Sequence, residues 1–315
     1  MVSATEESTP RTEPVRGTAF ALTLLVVALW GGNSVAVVYS VDSLPPIAVA
    51  GMRFALGTIV MLVWCRIEGT PIWLTRTEWT PACITALLLF AQISTFNVGV
   101  LWSNSTHGVT LINTYIFGVA TIEHFVLRSE RMTWRQWLGM FVSSVGVVCV
   151  MRVRQGGEIG RQAFLSGDMI LLVSAFLLAV RVVYIRHVVQ KMTPSKLILW
   201  HDMLGVLMFA ACSLMTESFS EAEFTTSAIA GLLYQGLVVA GLCFVIQASL
   251  LRHHAASQIS VFFFATPVFG VIFSVLLRGE PFNQLVVIGA TCVATGIWLV
   301  TNRGKQDRSA DPDSR

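Results

Sequence analysis

The same pattern of apolar runs and breaks occurs twice in this chain, at a fixed offset of 150 residues (Gly17 to Gly167, Leu101 to Leu251). Leu127-Arg128-Ser129-Glu130 aligns with Leu277-Arg278-Gly279-Glu280, and Gly139 and Gly146 align with Gly289 and Gly296. Identities are sparse, but the interruptions of hydrophobicity also fall at matching offsets. Each copy holds five apolar runs, an odd number, so in a bilayer the second copy stands inverted relative to the first.

Composition fixes the solvent. Charged residues make up 12% of the chain and hydrophobic ones 54%, whereas a soluble domain carries about 25% charge. Each apolar run approaches the roughly 20 residues that cross ~30 Å of hydrocarbon. The fold class expected is therefore all-α, a polytopic membrane protein of ten transmembrane helices in two inverted five-helix repeats. The spans read as 17–39, 46–65, 79–101, 107–127 and 135–152, then 166–187, 196–215, 228–250, 254–277 and 283–302. They divide the chain into a tail at 1–16, a first repeat at 17–152, a linker at 153–165, a second repeat at 166–302 and a tail at 303–315.

The N-terminal tail is polar, with Pro10, Pro14 and three glutamates, and has no apolar core of the signal-peptide kind. The C-terminal tail is charged and reads as disordered. With the N-terminus inside, fifteen of the 21 lysines and arginines fall in tails and joins on the cytoplasmic side, and four fall outside. Lysine and arginine are enriched in cytoplasmic loops, so both termini are expected in the cytoplasm and the chain in the inner (plasma) membrane. Arg152, Arg154 and Arg161, around the longer outer linker, run against that bias.

Catalytic and metal-binding patterns are missing from the sequence. The six cysteines (65, 83, 149, 212, 243 and 292) are scattered through apolar spans without metal or redox spacing and read as small packing residues. There is no His-Glu-x-x-His, no Gly-x-Ser-x-Gly and no phosphate-cradling glycine loop. The expectation is a chain that is not an enzyme, uses no cofactor or metal, and binds no nucleic acid. Its partners are then a small-molecule substrate and the lipid bilayer, with the oligomeric state open.

From Gly17 to Thr301 the chain resembles the drug/metabolite transporter superfamily, in particular its ten-span EamA-type members. The resemblance rests on Leu29-Trp30-Gly31-Gly32-Asn33-Ser34 in the first span and Arg53 in the second. In the second repeat it rests on Pro267, then Gly279-Glu280-Pro281, then Gly289 and Gly296. The first repeat departs from the pattern, with Phe117 in place of the proline and Ser129 in place of the glycine before Glu130. The resemblance implies a central cavity between the repeats, alternating access to it, and frequently the export of amino acids or other small metabolites.

Polar residues inside spans are costly in hydrocarbon unless paired or facing a cavity. Counting 1.5 Å of rise per residue places Asn33, Arg53, Asn97, His107 and Asn113 in the outer half of the first repeat. It places Arg181, Tyr184, His201, Asp202, Gln247, Gln258 and Ser260 in the inner half of the second, the exchange that inversion predicts. Tyr234 and Gln235 break the rule, and Gln92 lies near the middle. Arg181 and Asp202, on consecutive spans at similar depth, read either as a structural ion pair or with Asp202 as a proton-coupling carboxylate. Glu123 lies too far away in depth to partner Arg53, which is left with Asp42 near the outer surface, or with carbonyls, water or an anionic group on the substrate; the resemblance includes this arginine and implies a structural role.

The residues expected to meet substrate are Trp30, Asn33, Asn97, Asn113, Tyr115, Arg181, Tyr184 and Gln258, with Phe262-Phe263-Phe264 adding π surface. Such a mixture suits an amphipathic small molecule. Pro267 marks a break in span nine. Gly139, Ser143 and Gly146 form a smooth stripe for close helix contact, while Glu130 and Glu280 cap or pair locally. Phosphorylated sugars call for lysine or arginine in the cavity, and residues 255–277 contain none, with Arg181 provisionally assigned to Asp202. Cation exporters of the resembled superfamily place a glutamate in the first span, and 17–39 has no acid.

The function expected is a secondary transporter that exports small neutral or zwitterionic amphipathic metabolites, such as amino acids, by alternating access. The alternative is a non-transporting sensor or scaffold that keeps the fold. The topology has a direct check. A cysteine at Gly156, in a background without the native cysteines, should react with an impermeant maleimide in intact cells. Labelling only after lysis would overturn the orientation.

Overall fold

The structure is a computed structural model and describes residues 14–102, 108, 111–154, 165–278 and 284–301. His107, Gly156-Gly157, Arg161, Gly279-Glu280-Pro281 and most of both tails lie outside the described residues. The described residues form helices and turns, with no strand. In chain order the helices are α1 (Thr18–Val41), α2 (Pro46–Glu68), α3 (Arg76–Trp102), α4 (Tyr115–Val126) and α5 (Trp134–Arg154). Then come α6 (Leu165–Val188), α7 (Pro194–Thr216), α8 (Thr226–His253), α9 (Ala256–Ser260 continuing to Arg278) and α10 (Gln284–Thr301).

Eight of these are long and apolar enough to cross a membrane, and α4 is a shorter apolar helix. Ten full spans were expected. Among the described residues α4 and α5 are the two that are not among the eight. Large apolar side chains cover the outer faces, among them Ile59, Val63, Phe141, Phe176, Leu207 and Leu214. An exposed apolar surface of this extent is what a bilayer covers.

Three helices change pitch along their length. The π-helical turns Ile122–Val126 in α4 and Tyr234–Cys243 in α8 widen the helix and re-aim the side chains that follow. In α9 the segment Val261–Ala265 is 3-10 helix. It contains Phe263, the carbonyl that Pro267 would meet four residues on if proline had an N–H. The break expected at Pro267 is thus a tightened turn just before it.

Close approach is greatest between α5 and α10. A Cβ on Gly146 would lie 2.6 Å from the Gly289 carbonyl oxygen, and one on Gly289 would lie 2.7 Å from that of Gly146. Gly139 and Gly296 approach each other in the same reciprocal way. Between the two contacts Ser143 Oγ donates to the Val293 carbonyl at 3.4 Å, and beyond the Gly139–Gly296 contact Gln136 Nε2 donates to the Val300 carbonyl at 3.3 Å. Residues 139 and 146 facing 296 and 289 means the helices run antiparallel. Any side chain here would displace backbone rather than a flexible tip. The stripe read from the sequence is this contact.

The ends of α2 and α7 are tied to each other. The Glu217 carboxylate, just after α7, accepts from the Ile47 and Ala48 amides at 2.7 and 2.8 Å, and from Ser213 Oγ at 2.6 Å. Glu68, at the end of α2, accepts from Ser195 Oγ in the first turn of α7. Each helix thus begins with proline and receives a carboxylate from the far end of the other. The first amides of a helix lack intrahelical acceptors and carry the positive end of its dipole, so both contacts favour the charge.

Glu123 does the same for α9 from the π-helical turn of α4. It is fully buried, accepts from the Ala256 and Ser257 amides at 3.0 and 2.8 Å, and forms an ion pair with Arg186 near the end of α6. Gln190 Nε2 adds a bond to the Arg252 carbonyl at 2.9 Å beside it. Three helices therefore meet on one carboxylate. Removing one partner of a buried pair typically costs about 3–5 kcal/mol, and here two amides lose their acceptor as well. Glu123→Ala should lower the thermal unfolding midpoint in detergent and the membrane yield by a corresponding amount. Adding Arg186→Met should restore part of the loss. A Glu123→Ala protein as stable as the parent would overturn this account.

Candidate functional site

The middle of the molecule is organised around two phenylalanine rings. Phe54 on α2 and Phe244 on α8 lie with ring centroids 6.2 Å apart. Trp30 of α1 stacks on Phe244 at 5.5 Å, and the His201 ring of α7 meets Phe244 edge-on at 5.7 Å. Phe244 is the first residue after the π-helical turns of α8, whose altered pitch sets the direction of its ring.

Charge converges on the same place. Arg53 and Gly57 are four residues apart on α2 and so share a face. A Cβ on Gly57 would lie 2.8 Å from Asp202 Oδ2 and 2.9 Å from the Ala240 side chain. Glycine thereby leaves room for the carboxylate between α2, α7 and α8. The Arg53 guanidinium sits 4.7 Å from the Phe54 ring centroid, and that of Arg181 sits 6.0 Å from the Phe244 centroid. Arg53, Arg181 and Asp202 interact electrostatically with one another, and Arg181 also acts on His201 and Tyr115.

These groups are close yet incompletely paired. Asp202 Oδ1 contacts His201 Nδ1 at 2.8 Å, while Asp202 Oδ2, His201 Nε2, Arg53 Nε, Arg181 Nε and Nη1, and Trp30 Nε1 have no hydrogen-bond partner among the described residues. Among the described residues Arg181 forms no ion pair with Asp202. Asp202 turns to its neighbour on the same helix and Arg181 lies along an aromatic face, so the two act on each other without direct contact.

Other residues singled out in the sequence are distributed around this cluster. Tyr115, buried on α4, lies beside the buried Ser260 of α9. Asn33 is buried on α1, its Oδ1 without a partner. Tyr234 Oη donates to the Leu29 carbonyl at 2.8 Å, and Gln235 donates to Ser40 at 2.9 Å, so these two fasten α8 to α1. Asn97 and Tyr184 are half-buried and Gln258 is buried, and none has a polar or ring partner among the described residues. Asn113 precedes α4 and is half-buried.

Sequence reading missed Phe54 and Phe244, because nothing distinguishes them from the other phenylalanines until the helices are packed. It also missed the Glu123–Arg186 pair, although both fall at the inner ends of their spans by depth. Among the described residues no group of three or more histidines, cysteines or acids is placed to hold a metal.

Comparison with known proteins agrees with this architecture. The EamA-like transporter family matches residues 17–152 and again 165–302. The uncharacterized transporter YoaV of Bacillus subtilis is 24% identical over 279 residues, which cover 88% of this chain and 94% of YoaV. A probable amino-acid metabolite efflux pump of Salmonella typhimurium is 24% identical over 289 residues, covering 88% of this chain and 93% of its own. A protein of known crystal structure shares the fold with a TM-score of 0.80 at 15% identity, over 91% of this chain and 99% of that one. With the family matched along both halves and apolar helices clothed for lipid, the chain belongs to the EamA-like transporter family as a multi-pass membrane protein.

Proposed function

We propose that this protein is a secondary transporter that exports small amphipathic metabolites, amino acids among them, by alternating access across the inner membrane. Ten spans form two inverted five-helix repeats, 17–152 and 166–302, with the linker at 153–165 outside and the tails at 1–16 and 303–315 in the cytoplasm. The observation that carries the inversion is the pattern of helix partnerships. Replacing each helix by the one five places on exchanges α1–α8 with α3–α6, α2–α8 with α3–α7, and α1–α9 with α4–α6, and leaves α2–α7, α4–α9 and α5–α10 as they are. Ser143 and Val293, joined by a hydrogen bond, are 150 residues apart and so are repeat mates.

Two mirror-related access routes to one site follow from such a pseudo-twofold arrangement. The site is the central cluster, to which the first repeat brings Trp30 and Arg53 and the second brings Arg181, His201, Asp202 and Phe244. Tyr115 and Asn33 border it, and Asn97, Asn113, Tyr184 and Gln258 line the routes that lead to it. The names of the efflux-pump relatives support amino acids as the first substrates to test.

Asp202 carries the coupling proton in this reading, since neither arginine pairs with it directly. Purified protein in liposomes should exchange labelled amino acids across the membrane and accumulate them under a pH gradient. Asp202→Asn should keep the exchange and lose the gradient-driven accumulation. A well-folded wild-type protein that exchanges no member of an amino-acid panel would sink the substrate reading. Intact accumulation by the variant would remove Asp202 from coupling.

A further inference from the structure

We infer that the central cluster is built to hold a carboxylate, with Arg53 and Arg181 as its two cationic arms and the Trp30–Phe244 stack as the seat for an apolar body. The inference rests on the central cluster being the substrate site and narrows what that site accepts.

Charge balance is the first support. Arg53 and Arg181 repel each other across the cluster, and among the described residues Asp202 is the carboxylate that acts on both. With both guanidinium groups and Asp202 ionised the cluster holds one net positive charge, in a setting where an uncompensated charge is costly. One added carboxylate brings the sum to zero. A zwitterion leaves the net charge where it was, and an amine raises it.

Hydrogen-bond chemistry is the second support. Arg53 Nε, and Arg181 Nε and Nη1, are buried donors without partners. A guanidinium group presents its N–H groups in a planar fork that matches a carboxylate in a way no single neutral acceptor does. Of the Asp202 oxygens, Oδ1 is held by His201, while Oδ2, near Gly57, bonds neither guanidinium group among the described residues. The third support is the apolar seat. Trp30 and Phe244 stack with an interplanar angle of 21°, beside Phe54, next to the charged arms. A ligand with a ring or branched chain one or two carbons from its carboxylate would touch both regions.

Three molecules with one body separate the possibilities: 3-phenylpropionate, L-phenylalanine and 2-phenylethylamine, tested at pH 7 as stabilisers of the purified full-length protein against thermal unfolding. The expected order is phenylpropionate at least equal to phenylalanine, with phenylethylamine giving no shift. Arg181→Gln should weaken phenylpropionate binding about tenfold or more, the scale of a lost charge-assisted hydrogen bond. The wild-type series stands without the variant should that variant fold poorly. Stabilisation by the amine equal to that by the acid would overturn the inference. Stabilisation by phenylalanine without phenylpropionate would also overturn it, and would leave the amino-acid transport reading standing. No shift from any of the three would reject the carboxylate seat, while the liposome exchange assay would still decide transport.

Discussion

A helix that starts at or within a bilayer presents amides that hydrocarbon cannot satisfy, and much of this fold is arranged around that constraint. Two of the ten helices receive a carboxylate on their first amides from another helix: α2 from Glu217 and α9 from Glu123. Each contact satisfies two orphan donors and places negative charge at the positive end of a helix dipole. Each also joins elements distant in sequence, so a local need of the backbone fixes the tertiary arrangement. Glu123 has Arg186 as a counter-charge and is withdrawn from solvent, so its position depends on α4, α6 and α9 together. A motion that parts these helices must find new partners for a carboxylate, a guanidinium group and two amides at once.

The close α5–α10 pair shows the complementary strategy. In lipid there is no hydrophobic gain from bringing two apolar helices together, so contact depends on packing and on bonds across the interface. Removing side chains at four glycines brings backbone against backbone, and Ser143 and Gln136 add polar ties. This part of the molecule has little freedom to adjust, whereas α4, α8 and α9 each depart from the α-helical ladder, α8 immediately before Phe244 of the central cluster.

How much of this could be read in the sequence depended on distance along the chain. Helix positions, the glycine stripe and the break at Pro267 follow from local hydropathy and backbone chemistry, and they were legible. The polar residues that matter were legible as a class, because Arg53, Arg181 and Asp202 stand out in apolar spans. Their geometry was not. Depth counting placed Arg181 and Asp202 side by side, but rotation about each helix axis decides which side chains meet, and that angle is set by packing. Asp202 faces α2 because Gly57 leaves space there, and Arg181 lies along Phe244 because α8 changes pitch just before that ring. The same limit hid Glu123, assessed only as a partner for Arg53 when its partner was Arg186.

The geometry of the arginines bears on the chemistry proposed for the centre. A closed Arg181–Asp202 salt bridge would be neutral and inert toward an anion, and it would leave Arg53 as an isolated charge. In the proposed site, two guanidinium groups sharing one carboxylate, itself turned toward a histidine, would have a net charge that depends on what occupies the site and on whether Asp202 is ionised. Protonating Asp202 leaves both arginines without a protein counter-charge and strengthens the hold on an anionic ligand. Deprotonation restores a competitor for that ligand.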